Sequence, residues 1–212
     1  MNLLEEIQSY SGQPLTHQLL IALLKDYKRP NDKIHALLRK GILEYIKKGL
    51  YVAGPTLKAN RPERFLLANH ILGPSYVSLD SALYYHGLIP ERVYEITSMT
   101  VKASRRFQTP MGIFSYTRLA LPYYSYGIQQ TKLFDNQFAM VAAPEKALCD
   151  KVVITSGLQL RNEKNVMSYL IDDLRMDNGN LKGFNTKAML TWVPHALKKE
   201  SLLMMIKTIN NL

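Results

Sequence analysis

Pro30-Asn31-Asp32-Lys33-Ile34-His35-Ala36-Leu37-Leu38-Arg39-Lys40-Gly41, continuing as Ile42-Leu43-Glu44-Tyr45-Ile46-Lys47-Lys48-Gly49-Leu50-Tyr51-Val52-Ala53, is the stretch on which the reading of this chain turns. Ile34, Leu37 and Leu38 recur at i, i+3, i+4, the spacing of one buried helical stripe. Asn31 stands where an N-cap is wanted, and Gly41 where a left-handed residue ends a helix. Asp32, Lys33, His35, Ala36, Arg39 and Lys40 are left off the stripe. Residues 43–46 and 50–52 then read as short strands around Lys47-Lys48-Gly49, with glycine supplying the positive φ of a tight hairpin.

Upstream, Leu3, Leu4, Ile7 and Tyr10 predict a first helix over residues 2–10, broken by Ser11-Gly12-Gln13-Pro14. Thr16 can cap a second helix carrying Leu19, Leu20, Leu23 and Leu24, and Tyr27-Lys28-Arg29-Pro30 makes the turn into the third. Helix, turn, helix and hairpin in this order outline a winged helix-turn-helix. Such a unit reads bases from the start of a major-groove helix and holds phosphates with Lys and Arg on its neighbours. Lys28, Arg29, Asn31, Lys33 and His35 surround that start, and Arg39 and Lys40 continue the helix. Asn and Arg carry the donor and acceptor forks that suit adenine and guanine edges. Lys47 and Lys48 at the hairpin tip would reach backbone or minor groove. A solvated amphipathic helix beside a solvated turn is the plainer alternative, and the correctly spaced hairpin argues against it.

The charge distribution points the same way. The 212 residues carry 27 Lys+Arg against 17 Asp+Glu, a net +10. Between Lys25 and Arg64 there are eleven Lys and Arg against four Asp and Glu, so seven of the ten net charges lie in under a fifth of the chain. Clustering of this kind is an electrostatic footprint for a polyanion. A hydrophobic fraction of 47% with 21% charged residues fits a packed chain rather than disorder. No apolar run approaches a membrane span, and Glu5 and Glu6 interrupt any signal-peptide pattern. With one cysteine, Cys149, no internal disulfide can form, and a cytoplasmic location is expected.

Residues 56–62, with Lys58 and Arg61, read as a basic connector between a domain over residues 1–55 and a mixed α/β domain over residues 63–212; the expected class is α+β. In the second domain a helix is expected over residues 63–72, and another capped by Ser78 with Leu79, Ala82, Leu83 and Tyr85. Strands are expected over residues 93–101, 112–119 and 129–141, the last with an Asp135-Asn136 turn. Pro144 starts a helix through Leu148 and Val153, and further helices are expected over residues 163–174, 186–192 and 197–209. Residues 176–183 read as a polar loop.

Other chemistry is sparse. His17, His35, His70, His86 and His195 include no i, i+4 pair, so no metal site is expected, and no cofactor motif occurs. Cys149 reads as a buried, inert thiol. Asp80, Glu95, Asp135, Glu145 and Asp150, with Lys102 or Lys146, keep a metal-dependent nuclease open as an alternative, although no pair has a motif spacing. No catalytic residue is assigned. Arg105, Arg106 and Arg118, with Phe107, Phe114 and Tyr116, form a second basic-aromatic patch suited to DNA backbone or to a partner in a cooperative assembly. A basic loop beside core aromatics is the equal alternative.

Arg39-Lys40-Gly41-Ile42-Leu43 with Lys48-Gly49-Leu50-Tyr51-Val52 resembles the winged helix of the AbiEi-type antitoxins of bacterial abortive-infection systems. Tyr76-Val77-Ser78-Leu79-Asp80-Ser81-Ala82-Leu83-Tyr84-Tyr85-His86-Gly87-Leu88-Ile89-Pro90 is similar to that family's serine, alanine-leucine and His-Gly-Leu segment. Glu95-Ile96-Thr97-Ser98 and Arg106-Phe107 resemble its next strand and basic turn, and Ala143-Pro144-Glu145-Lys146-Ala147-Leu148-Cys149-Asp150 its proline-glutamate-lysine-alanine helix start. The likeness weakens after about Gly157. It implies a type IV antitoxin that opposes a nucleotidyltransferase-like toxin without a stable complex. It also implies a repressor of its own operon at inverted repeats in double-stranded DNA, with the second domain serving cooperative self-association and antitoxicity. A transcriptional regulator without a toxin partner is the alternative within the same likeness.

Overall fold

The computed structural model describes residues 2–212, and the chain is α+β, built on two hydrophobic clusters that meet at one hairpin. α1 (Leu3–Ser9) opens on a capping box, in which the Asn2 N–H donates to the Glu5 carboxylate at 3.0 Å. β1 (Leu15–Thr16) follows, too short to show a strand period in sequence. Thr16 caps α2 (His17–Leu23), its hydroxyl oxygen accepting the Leu19 N–H at 3.2 Å.

α3 (Pro30–Arg39) begins two residues earlier than a cap at Asn31 would set it. Arg29 occupies the cap position without a side-chain cap bond, and Asn31 lies exposed in the first turn. Pro30 decides this, because its fixed φ suits the first helical position and its missing N–H would have had no partner there. The other end behaves as expected. Gly41 takes φ +64°, its N–H donates to the Leu38 carbonyl, and the Ile42 N–H reaches back to Leu37. This is a Schellman closure, with buried Ile42 and Leu37 packed behind it in the smaller cluster.

β2 (Leu43–Lys47) and β3 (Leu50–Ala53) form the hairpin, and β1 adds a third strand beyond β3. The pairing shifts between Tyr45 and Lys47, leaving Ile46 as a bulge. Before the bulge, Leu43 and Tyr45 share the face of Tyr51; Leu43 and Tyr51 are buried in the smaller cluster, and exposed Tyr45 meets the Tyr51 ring edge-on. After it, Lys47 pairs with Leu50, on the face where Ile46, Leu50 and Val52 are buried in the larger cluster. The hairpin is therefore a wall between two cores. The stretch read as a basic connector makes contacts of its own: the Thr56 hydroxyl donates to the Lys40 carbonyl, and Arg61 pairs with Glu44 at 2.9 Å.

α4 (Arg64–Ile71) leads into a six-stranded mixed sheet made of β4 (Ser75–Val77), β5 (Ile96–Thr100), β6 (Arg105–Thr109), β7 (Gly112–Arg118), β8 (Ile128–Lys132) and β9 (Phe138–Ala142), in the order β6-β7-β5-β4-β9-β8. Alternation divides its faces. Val77, Ser98 and Tyr116 turn toward α4, where the Tyr116 hydroxyl donates to the Ala68 carbonyl at 2.6 Å. Tyr76 and Thr97 turn toward α5 (Leu79–Tyr85) and α6 (Pro144–Ile154). Arg105 and Arg106, expected in a turn, lie in edge strand β6. Residues beyond α6 form α7 (Glu163–Met167), a π-helical continuation (Ser168–Asp173), α8 (Asn178–Lys182), α9 (Thr186–Trp192) and α10 (Lys199–Asn210). α8 occupies what the sequence suggested was loop, with Asp177 capping it through the Gly179 N–H.

Ser78 sits at the start of α5 but does not cap it. Its hydroxyl donates instead to Asp150 Oδ2 at 2.7 Å, as does the Tyr76 hydroxyl at 2.9 Å. Lys146, one helical turn before Asp150, lies 2.7 Å from Oδ1, and both side chains are fully buried. The Lys146 ammonium also donates to the Tyr123 carbonyl and stands 3.4 Å from the Tyr123 ring centroid. Burial pulls its pKa down and the Asp150 charge opposes this. Burial, with the Asp150 charge, pushes the neighbouring Cys149 thiol well above its ordinary value, which keeps it protonated.

Candidate nucleic-acid interface

Ile34 and Leu37 anchor α3, so the opposite side of the helix is open to solvent. Asn31, His35 and Arg39 follow i, i+4, i+8 and make one exposed row, continued by exposed Lys28 and Arg29 in the preceding turn. Lys33 and Lys40 belong to a different side. They line a cleft of about 230 Å³ shared with the start of α1, and the Lys33 ammonium lies 4.8 Å from the Tyr27 ring centroid. The seven α3-region residues singled out in sequence thus divide into an outward row and a flank.

One acid interrupts the outward face. Asp32 is exposed beside the row, 3.9 Å from Arg29 Nη1, a contact between two solvated groups that is worth little. His35, Asn31 and Arg39 have no side-chain hydrogen bond or ion pair among the described residues. Together they present donors and acceptors to whatever enters from outside.

The two hairpin lysines, expected side by side at the tip, differ in exposure, and the bulge just before Lys47 sets the face it takes. Lys48 is exposed beside Gly49, which has φ +78°. Lys47 is half-buried on the face toward the larger cluster. Burial, then the like charges of Lys102 and Arg105, holds its ammonium below the ordinary range. The His17 N–H donates to the Gly49 carbonyl at 2.9 Å and ties the tip to α2.

The second basic patch also divides. Arg106 donates through Nε and Nη2 to both oxygens of Glu95, which lowers the Glu95 pKa. Arg105 and Arg118 have no such partner, and both are exposed. Lys102 lies in the loop between β5 and β6 and was legible only as a lysine after a strand. Its relation to Lys47 depends on tertiary packing that no local signal carries.

The carboxylates considered for a nuclease are engaged one by one. Asp80 pairs with Lys151 at 2.7 Å, Glu145 accepts the Asn185 N–H, Asp135 contacts Asn60, and Asp150 is enclosed with Lys146. Asp80 and Glu95 do line one cleft with Lys151. No group of three or more His, Cys, Asp or Glu suited to a metal ion occurs among the described residues. No helix among them is long and apolar enough to cross a membrane.

No protein-family model and no curated protein sequence matches the chain. Among solved structures, the crystal structure of the RV2827C protein from Mycobacterium tuberculosis is similar, with a TM-score of 0.54 and 15% sequence identity over 97% of this chain and 80% of that one. An identity this low shows a shared fold and nothing further.

Proposed function

We propose that residues 1–55 form a winged helix-turn-helix that binds double-stranded DNA, and that the chain is a transcriptional autoregulator acting as the antitoxin of a type IV, AbiE-like pair. One observation carries the DNA-binding part. The outer face of α3 is uncovered by any other element and presents Asn31, His35 and Arg39 in a row, with Arg29 and Lys28 at its start and Lys48 at the tip of the following hairpin. Side chains at the start of such a helix discriminate bases, while the flanking cations take phosphates.

The antitoxin part rests on the resemblance. It gains support from the way the resembling segments meet, since Tyr76 and Ser78, at the start of one, hydrogen-bond Asp150, closing the other. In this reading residues 63–212 supply antitoxicity and cooperative self-association, and the toxin is opposed without a stable complex. A footprint on the DNA upstream of the chain's own gene tests the proposal. Protected inverted repeats are expected, and absence of protection removes autoregulation. Co-expression with a nucleotidyltransferase-like neighbour tests the rest: loss of toxicity is expected, and continued toxicity leaves a regulator without a toxin partner.

A further inference from the structure

The six-stranded sheet ends in β6 on one side and β8 on the other. β6 carries Arg105 and Arg106, charges of the kind that keep a strand edge from pairing again. β8, Ile128-Gln129-Gln130-Thr131-Lys132, has no charge before its last residue, no proline, and no bulge against β9. Its pairing parity shows which groups are free. The Ala143 N–H donates to the Gly127 carbonyl at 2.8 Å, and the Leu133 N–H to the Gln137 carbonyl at 2.7 Å, so the odd-numbered residues exchange bonds with β9. The N–H and C=O groups of Ile128, Gln130 and Lys132 therefore point away from the sheet. No hydrogen bond joins them to another element among the described residues.

The inner edge of the same hairpin is treated differently. There Met140 turns its N–H and C=O toward β4, which pairs with β9 only at Val77 and Val141, and the Asn69 amide meets both groups. The Met140 N–H donates to Asn69 Oδ1 at 2.7 Å, and Asn69 Nδ2 donates to the Met140 carbonyl at 3.3 Å. A side chain thus completes the ladder inside the sheet, while the outer edge has no such cover. Beside that edge the surface is apolar. Phe138 and Met140 lie cross-strand from Lys132 and Gln130, on the same face, and both are exposed.

We propose that β8 is a docking edge for a second copy of this chain, joined antiparallel about a two-fold axis at Gln130 so that the two sheets continue as one. The strand is self-complementary in this register. Gln130 meets Gln130, Ile128 of each copy meets Lys132 of the other, and all three outward residues fall in hydrogen-bonded pairs. No like charges stand directly opposite, and the Lys132 stem lies between Phe138 and the other copy's Ile128. The inference gives the self-association of the reading above a surface, and rests on that part of the reading alone. A five-residue strand buries less than a stable dimer needs, and two chains of net +10 repel, so the pairing is weak in free solution. A duplex that neutralises both copies and holds them side by side strengthens it.

Three variants of the full chain test the edge. Gln130→Pro removes an outward N–H and no bond to β9, a change that an edge strand tolerates. Gln130→Cys places a thiol on the axis, where opposed Cα atoms about 5.5 Å apart suit a disulfide. Gln129→Cys, which faces Thr131 of the other copy, is its control, and native Cys149 is buried. Sedimentation velocity is expected to show a monomer–dimer equilibrium that strengthens with salt. Gln130→Pro should weaken it roughly ten- to thirty-fold through the two hydrogen bonds lost at the axis. Mild oxidation is expected to trap a covalent dimer of Gln130→Cys and not of Gln129→Cys. On DNA, Gln130→Pro should bind a single repeat as the wild type does and lose the cooperative gain from a second repeat. Equal cross-linking of the two cysteine variants, or wild-type self-association unchanged in Gln130→Pro, overturns the edge and leaves self-association to another surface. A chain that stays monomeric with and without DNA and forms no cross-link overturns the second copy as occupant. That result leaves the edge to an extended segment of another protein and spares single-repeat binding. A chain that binds no duplex overturns the DNA-binding reading, and sedimentation and cross-linking still decide the edge. Should circular dichroism show Gln130→Pro misfolded, the cysteine pair decides by itself.

Discussion

Two lysines show how differently this chain uses positive charge. Lys146 lies wholly buried on α6, where Asp150 neutralises it and the Tyr123 ring and carbonyl complete its surroundings. Lys47 lies at the junction of hairpin and sheet, where its charged neighbours are Lys102 and Arg105. The interior charge is compensated by the chain itself, so its removal is felt as instability. The junction charges lack internal compensation, so under the proposed DNA binding their removal is expected to weaken binding rather than folding. Variants at the two places therefore separate folding from function.

The largest effect belongs to the interior. Lys146→Met leaves the Asp150 carboxylate buried with only hydroxyl partners, and a destabilisation of about 3–5 kcal/mol is expected from urea denaturation. Lys146→Met with Asp150→Leu recovers only part of it, because the Tyr76 and Ser78 hydroxyls then lose their acceptor. A double variant as stable as the wild type would mean that the two hydroxyls find other partners. For as much of either variant as stays folded, the salt slope of duplex binding is expected to match the wild type, and a flattened slope would erase the contrast between the two lysines.

A second break falls at the clasp that sets the hairpin on α3. A Cβ at Gly54 would stand 2.1 Å from the Gly41 carbonyl oxygen, with backbone rather than a flexible side chain in the way. The Gly54 N–H also donates to the Ile42 carbonyl at 2.8 Å. Gly54→Ala is expected to cost about 1–3 kcal/mol through overpacking, read as a lowered denaturation midpoint. An unchanged midpoint would show that the clasp yields.

The elements that a sequence reader could place are those with a local cause. The stripe of Ile34 and Leu37, the left-handed Gly41, the Thr16 cap and the Pro144 helix start each depend on residues within one turn. β1 and β4 were invisible because two or three residues cannot show a period of two. The bulge at Ile46 goes with its burial in the larger cluster, so nothing in Tyr45-Ile46-Lys47-Lys48 announces which lysine turns inward. Lys146 reads as surface because a lysine on a helix normally is; its i+4 relation to Asp150 was the available hint, and an exposed pair would have shown the same spacing. For the interface, residue types on α3 were legible while their sorting was not. Lys33 and Lys40 left the outward row once α1 packed against their side.

The corrected start of α3 sharpens what Asn31 can report. Since Arg29 holds the cap position, Asn31→Ala is expected to leave the thermal midpoint within error of the wild type. Competition between operator variants should show a loss of about 1–3 kcal/mol of discrimination at one or two base positions. A lowered midpoint with unchanged base preference would make Asn31 a structural residue and move base reading elsewhere along the row.

The smallest expected effect concerns Asp32, the one acid on α3 and the residue that blurs the contrast between a neutralised interior and an uncompensated surface. In the first turn its charge suits the helix dipole, which favours keeping it for stability. Beside phosphates the same charge opposes binding, and it also holds Arg29 at 3.9 Å, away from full use by an anion. Asp32→Asn removes the repulsion and frees Arg29, so duplex binding at low salt is expected to tighten by roughly two- to three-fold, an effect fading as salt screens it. The slope should steepen by about one if Arg29 then reaches a phosphate. Weaker binding would reverse the assignment: Asp32 would then be orienting Arg29 toward the DNA, and the acid would count as part of the interface.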